Sequence, residues 1–215
     1  MSKYVKFTSE RVSSELTRFS GFAELNTYRR RLLQLGLIGL DSNGVGFGNL
    51  SMRDGATDNS LITGSATSGT PQLTPADCAK VVAYDFERNS LRFEGSTIPS
   101  SESLTHAAIY QSDPKAGAVI HCHDSELWAA LLNQAPTSSK TVDYGTPELA
   151  YEIMRLFTAS DVRTRKILVM AGHEAGIVTF GGNLEEAFSI LMHEQRQPAP
   201  CVDSPFHERT RADGK

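Results

Sequence analysis

Residues 118–128 read AVIHCHDSELW. Small and β-branched residues run up to His123, and a helical pattern starts at Ser125, so the stretch predicts a strand over Ala116–His123 followed by a helix over Ser125–Asn133. Side chains alternate across a strand, which sets His121 and His123 on one face and Cys122 on the other. Imidazoles at i and i+2 can converge on one cation, whereas neighbours at i and i+1 could not. Zinc takes nitrogen ligands at about 2.0–2.1 Å, and a catalytic zinc combines three protein ligands with an open position. The pair has two readings: hydrogen-bonded histidines at a half-buried strand end, or two thirds of a metal site. A third donor decides between them.

Working outward, SSESLTHAAIYQS (100–112) predicts a helix with a serine cap, ended by Asp113-Pro114. Val81–Phe86 and Ser90–Phe93 flank Glu87-Arg88-Asn89 as a hairpin. LTPADCAK (73–80) opens a helical turn with Thr74 as N-cap, Pro75 first and Asp77 third. Ser60–Thr63 is a short strand, and GSATSGTPQ (64–72) a loop of small residues. VGFGNLSMRDG (45–55) is a strand in which Gly48 breaks the alternation, the mark of close approach by backbone or ligand. From Ser9 to Leu40 the pattern is helical, with Leu25, Leu32, Leu33, Leu35 and Leu37 on the apolar side, Arg29–Arg31 toward water, and a stop at Asp41-Ser42-Asn43-Gly44.

Toward the C-terminus, residues 136–144 form a loop with room for one strand, and Thr146-Pro147-Glu148 starts a helix reaching Thr158. Strands Ile167–Ala171 and Ala175–Phe180 flank Gly172-His173-Glu174, and Asn183–Gln197 is the last helix. Strands interleaved with helices, but with hairpins among them, predict an α/β fold: a three-layer α/β/α sandwich around a mixed, mostly antiparallel sheet. Residues 1–8 read as a loose start, 9–198 as one domain and 199–215 as a mobile tail.

The 215 residues carry 21 basic and 25 acidic side chains, a net charge of −4 that excludes a broad basic surface for nucleic acid. An anionic ligand must therefore be held locally. Cys78, Cys122 and Cys201 are scattered and odd in number, so a disulfide framework is not expected. Residues 1–20 show no apolar leader and no run approaches a membrane span, which leads to the expectation of a soluble cytoplasmic protein without a membrane partner.

Among the other histidines, His106 lies on an apolar helical stretch and reads as structural or supporting, His193 sits near the end of the last helix, and His207 lies in the tail. His173 stands in a turn between strands, where a side chain can be aimed into a cleft, and is the third-ligand candidate. Cys122 faces away. Ser100-Ser101-Glu102 precedes a helix: it reads equally as a capping pattern, or as hydroxyls and N–H groups for an anion with a carboxylate placed for general base work. Gly48-Asn49 and the loop from Gly64 to Gly69 can add donors.

In this order, GNLS, a Thr/Ser-Gly loop, PSSE followed by a histidine, HxH and a single histidine before a strand resemble the class II aldolase/adducin family, over about residues 24–195. The resemblance implies His121, His123 and His173 as ligands of one Zn²⁺ per subunit (Mn²⁺, Co²⁺ and Fe²⁺ being alternatives), Glu102 as acid–base carboxylate, and Asn49, Ser100 and Ser101 as phosphate binders. For the remaining phosphate element both Thr63-Gly64 and Ser68-Gly69 are candidates, and spacing favours Ser68-Gly69 with Thr67 beside it. It further implies a homotetramer and a lyase that reversibly cleaves a small phosphorylated ketose through a zinc-bound enediolate. Dehydration and 4-epimerisation use the same logic, and Glu102, where the epimerases carry Asp, leans away from the latter. Adducin-like members are interaction modules with no need of the histidines. A zinc hydrolase would favour H-E-x-x-H, which does not occur. Two departures stand out: residues 133–146 are shorter than in the aldolases, and the tail FHERTRADGK lacks their C-terminal tyrosine.

Overall fold

Thr8–Ser13 forms an edge strand, β1, in a computed structural model that describes residues 5–16 and 19–197. Helix α1 (Phe22–Gln34) follows, then a two-stranded ribbon of β2 (Gly39–Leu40) and β3 (Gly46–Phe47). Next come β4 (Asn49–Arg53), β5 (Ser60–Thr63), a 3₁₀ turn at Pro75–Asp77, β6 (Cys78–Asp85) and β7 (Ser90–Glu94). Helix α2 (Ser103–Ser112), β8 (Ala118–His123) and α3 (Ser125–Leu131) precede α4 (Pro147–Ala159) and α5 (Val162–Arg165). The chain closes with β9 (Ile167–Val169), β10 (Gly176–Gly181) and α6 (Leu184–Arg196).

Eight strands make one sheet in the order β1-β7-β6-β5-β4-β8-β10-β9. Among the described strands, β1 and β7 pair parallel and the other ladders are antiparallel. The alternation in β8 divides the core. Ala118, Ile120 and Cys122 pack with Leu25 and Leu32 of α1, Leu127 of α3, and Leu184, Phe188 and Leu191 of α6. Val119 points the other way, to Leu104 and Ile109 of α2 and Ile153 and Phe157 of α4. Two apolar layers on opposite faces of a mixed sheet give the three-layer sandwich.

Local chemistry explains the element ends. Thr74 and Asp77 form a capping box around Pro75. The side chains of Thr146 and Asn183 accept the N–H groups of Leu149 and Glu186 to start α4 and α6.

Several expectations are corrected. The helix read over 9–40 is strand β1 followed by the shorter α1: TSERVS lies almost wholly exposed on the sheet edge, held by backbone pairing that apolar periodicity does not report. Residues 5–8 are not loose, since Phe7 is buried and Val5 packs against the same core. Arg29 does not face water; it is 1% exposed. The serines do not cap α2: Ser103 Oγ donates to the Ser100 carbonyl at 2.6 Å, and Glu102 occupies the N-cap position without a side-chain cap bond. Residues 136–144 make only an isolated bridge, Thr137 to Val169. Residues 1–4 and the predicted tail 199–215, with Cys201 and His207, lie outside the described residues. Among the described residues, no helix is long and apolar enough to cross a membrane.

Candidate functional site

The β4–β8–β10 register assembles the site. Asn49 lies opposite His121, and His123 lies opposite Gly176. Beyond β9 the chain turns back at residues 170–176, where the His173 N–H donates to the Met170 carbonyl and the Gly176 N–H to the His173 carbonyl. Gly176 leaves room for the returning imidazole: a Cβ there would stand 2.7 Å from His173 Cδ2. The nitrogens of His121, His123 and His173 come within 4.8 Å of one another.

Each imidazole is oriented. His121 is fully buried; its Nδ1–H donates to the Ile177 carbonyl at 3.2 Å, and its Nε2 has no partner. A buried basic nitrogen without a donor is costly unless something Lewis-acidic meets it. The Nε2 atoms of His123 and His173 face each other at 2.9 Å. Phe47 of β3 stacks on His123 with centroids 5.1 Å apart, and Tyr144 lies against His173 at 4.7 Å. Burial pushes His121 well below the usual imidazole range, with the other histidines adding to it, and lowers His123 and His173 to about 4, so all three are neutral at pH 7. Ligands about 2.0–2.1 Å from a tetrahedral zinc stand about 3.4 Å apart. The donor set fits a divalent cation.

Glu102 lies at the head of α2, 2% exposed. Oε2 accepts from Thr105 Oγ1 at 2.7 Å, and Oε1 is buried without a partner. Burial lifts its pKa to about 7, outweighing the Thr105 hydrogen bond. It shares a cavity of about 470 Å³ with the three histidines. Asn49, Ser100 and Ser101 line the same cavity, and Asn49 Oδ1 is another buried atom without a partner.

The loop after β5 is stitched beside them, with the Ser65 N–H donating to Ile98 O at 2.7 Å and the Ser100 N–H to Thr63 O at 3.2 Å. Gly64, Ser65, Ala66 and Ser68 reach the cavity wall, so the two candidate phosphate elements each contribute one part. Thr67 and Gly69 are not brought there: Thr67 Oγ1 donates to the Gly64 carbonyl at 2.8 Å, and Gly69 packs beneath Leu40. Gly48 is a point of close approach, since a Cβ would meet Ile38 at 2.3 Å and the His121 carbonyl at 3.1 Å.

His106 is buried behind the site and bonds through Nδ1 to Ser51 Oγ at 2.7 Å, which also contacts Tyr110 OH. His193 is exposed on α6 and bonds to Gln197. Cys122 is buried on the opposite face, where burial holds its thiol protonated.

Sequence reasoning missed Tyr144 and Lys6, and named the loop that holds Ser65 without singling that residue out. The Lys6 ammonium sits 3.9 Å over the Tyr144 ring and pairs with Asp143 at 2.5 Å. Gly172 presses this loop onto the histidine turn, as a Cβ would stand 2.1 Å from the Val142 carbonyl.

A profile of the class II aldolase and adducin N-terminal domain matches residues 35–196. The chain belongs to that family. Its fold is that of L-fuculose 1-phosphate aldolase, with a TM-score of 0.65 at 22% identity over 84% of each chain. In sequence, the class II aldolase domain is 27% identical to the 3-oxo-tetronate 4-phosphate decarboxylase of Haemophilus influenzae, over 66% of this chain and 70% of that one. It is 41% identical to a methylthioribulose-1-phosphate dehydratase of Pseudomonas savastanoi, over 35% of this chain and 33% of that one.

Proposed function

We propose that the protein is a metal-dependent carbon–carbon lyase that reversibly cleaves a small phosphorylated ketose by the aldol route. The observation that carries this reading is a buried carboxyl, its Oε1 without a partner and its pKa near 7, in one cavity with three neutral, converging imidazoles. His121, His123 and His173 would hold one divalent cation, zinc first, with manganese, cobalt and ferrous iron as alternatives. When bound, the cation supplies a Lewis acid for the charge that develops on the substrate's carbonyl and neighbouring hydroxyl oxygens.

Glu102 then moves the proton at the carbon beside that carbonyl. With both protonation states populated near neutrality, its Oε1 can give or take the proton while Thr105 keeps Oε2 in place. Asn49, Ser100, Ser101, Ser65 and Ser68 hold the phosphate, and Thr67 and Gly69 shape the loop that carries two of them. This anchoring places the reacting carbon against Glu102. As a family property carried over, the working unit is a cytoplasmic homotetramer.

Decarboxylation is the second reading, favoured by the relative matched over 70% of its length. It breaks a carbon–carbon bond beside the same activated carbonyl. Incubation of metal-loaded protein with ketose 1-phosphates and with 3-oxo-4-phosphate acids, followed by NMR, separates the reactions. Dihydroxyacetone phosphate with an aldehyde supports aldol cleavage, and carbon dioxide supports the second reading. Loss of water with the carbon skeleton intact refutes both.

A further inference from the structure

Arg29 is a fully buried cation with no counter-charge in contact among the described residues. It projects from the core face of α1, between Leu25 and Leu32, and is 1% exposed. Nη2 donates to the carbonyls of Thr67 at 2.9 Å and Ser68 at 2.6 Å, and Nη1 is buried without any partner. Among the described residues no carboxylate pairs with it. Asp77, whose field reaches it, is engaged by Thr74, accepting its N–H at 2.7 Å and its hydroxyl at 2.8 Å. A guanidinium taken out of water is costly unless an anion answers it.

The loop that Arg29 grips from behind is the one whose other side lines the cavity through Ser65, Ala66 and Ser68. The loop is tightly made. Ala66 is held at φ 62°, Ser68 Oγ donates to the Gly48 carbonyl at 3.1 Å, and Thr67 closes back on Gly64. Two carbonyls of the loop meet the guanidinium, while Ser65, Ala66 and Ser68 line the cavity.

We propose that Arg29 is the buried counter-charge of the substrate's phosphate, acting through the 64–68 loop without touching the ligand. It is a positioning residue. It orients the loop donors and supplies the positive charge that a cradle of hydroxyls and amides lacks, in a chain with a net charge of −4. The proposal rests on the sugar-phosphate reading above and names the residue that would select a phosphorylated substrate.

The test is titration of the metal-loaded full chain with inorganic phosphate by calorimetry, comparing wild type with Arg29→Gln and Arg29→Lys. Glutamine keeps an N–H donor for the loop carbonyls and removes the charge; lysine keeps the charge. The expected result is phosphate affinity lower by about tenfold or more in Arg29→Gln and within about threefold of wild type in Arg29→Lys, with metal content unchanged in both. Phosphate binding by Arg29→Gln equal to wild type overturns the proposal while leaving the sugar-phosphate reading standing. So does an Arg29→Lys protein as weak as Arg29→Gln, because charge would not then be what matters. A wild-type protein that binds no phosphate at tens of millimolar overturns both.

Discussion

Replacing Glu102 by glutamine isolates the feature on which the mechanism depends, a carboxyl that the fold prefers neutral. Burial lifts it from 4.5 to about 7. At about 1.4 kcal/mol per pH unit, the folded state favours the protonated form by about 3 kcal/mol. The sign follows from linkage. Below 4.5 the carboxyl is protonated in both states and there is no penalty. Between 4.5 and 7 the unfolded chain ionises while the fold retains its proton, so rising pH erodes stability; above 7 both are ionised and the loss is complete. Glutamine never ionises and can still accept the Thr105 hydroxyl. Urea unfolding of the metal-free proteins across this range measures the difference, and the histidine contributions, common to both chains, cancel. The stability of wild type relative to Glu102→Gln should fall by about 3 kcal/mol from the acid to the alkaline end and level off above 7. Metal stoichiometry should be unchanged, with turnover lowered about 10²–10⁴-fold. Parallel stability curves would mean that the carboxyl is hydrated and ordinary, and would remove its claim to be a base poised near neutrality.

His123 and His173, lowered to about 4, carry no proton to displace at neutral pH, so metal affinity measured by competition with a chelator should stay flat down to about pH 5 and fall below it. In the metal-free protein the same depressed values contribute stability that is present above 6.5 and lost as pH falls through 4; His123→Ala should flatten that acid limb in denaturant titrations. Gly176→Ala puts a methyl group 2.7 Å from His173 Cδ2, so it should fold by circular dichroism yet lose metal by about 10–100-fold on elemental analysis. Tyr144→Ala removes the ring packed on His173 and should weaken metal binding by a similar factor of about 10–100, whereas Tyr144→Phe, which keeps the ring, should bind metal as wild type does; equal behaviour of the two would show that the packing is idle.

The readable parts of the chain are those governed by a local rule. The period-2 pattern of β8 put His121 and His123 on one face because nothing in a central strand competes with the pleat. Thr74-Pro75-Asp77 and Thr146-Pro147 were legible because a cap is a contact between near neighbours. Strand β1 was not, because a polar edge strand is held by backbone pairing with β7, more than 80 residues away in the ladder Thr8 to Ser90, and its side chains report nothing. The misplacement of Arg29 had a signal that could have been used. Three consecutive arginines sweep about 200° of a helix at 3.6 residues per turn, so they cannot all face water. Positions 25, 29 and 32 follow the i, i+4, i+7 rule of a buried stripe. Tyr144 had no such signal. It reaches His173 only because the Gly172 turn and the 139–144 loop pack together, a tertiary event without local periodicity. The candidate phosphate loop was divided between two alternatives for a similar reason: spacing cannot say that Gly64, at the strand end, and Ser68 lie on one wall while Thr67, between them, turns back.

One physical condition accounts for the opposite behaviour of the titrating groups. Withdrawal from water disfavours whichever form is charged, so in a single cavity it strips protons from imidazoles and keeps one on a carboxyl. The result is three lone pairs available to a cation and one acid available to a carbon, with almost no net charge among them. Such a cavity has little electrostatic hold on a phosphate dianion by its visible lining. If the substrate carries a phosphate, as proposed, the charge that balances it would come from a cation held by the histidines at one end and from behind the wall at the other. At that second place the chain has buried a guanidinium that makes two bonds to the loop and no ion pair among the described residues. The desolvation cost of Arg29 in the free protein and the polarity of the cavity then become two sides of one requirement: each is relieved by the same anionic guest.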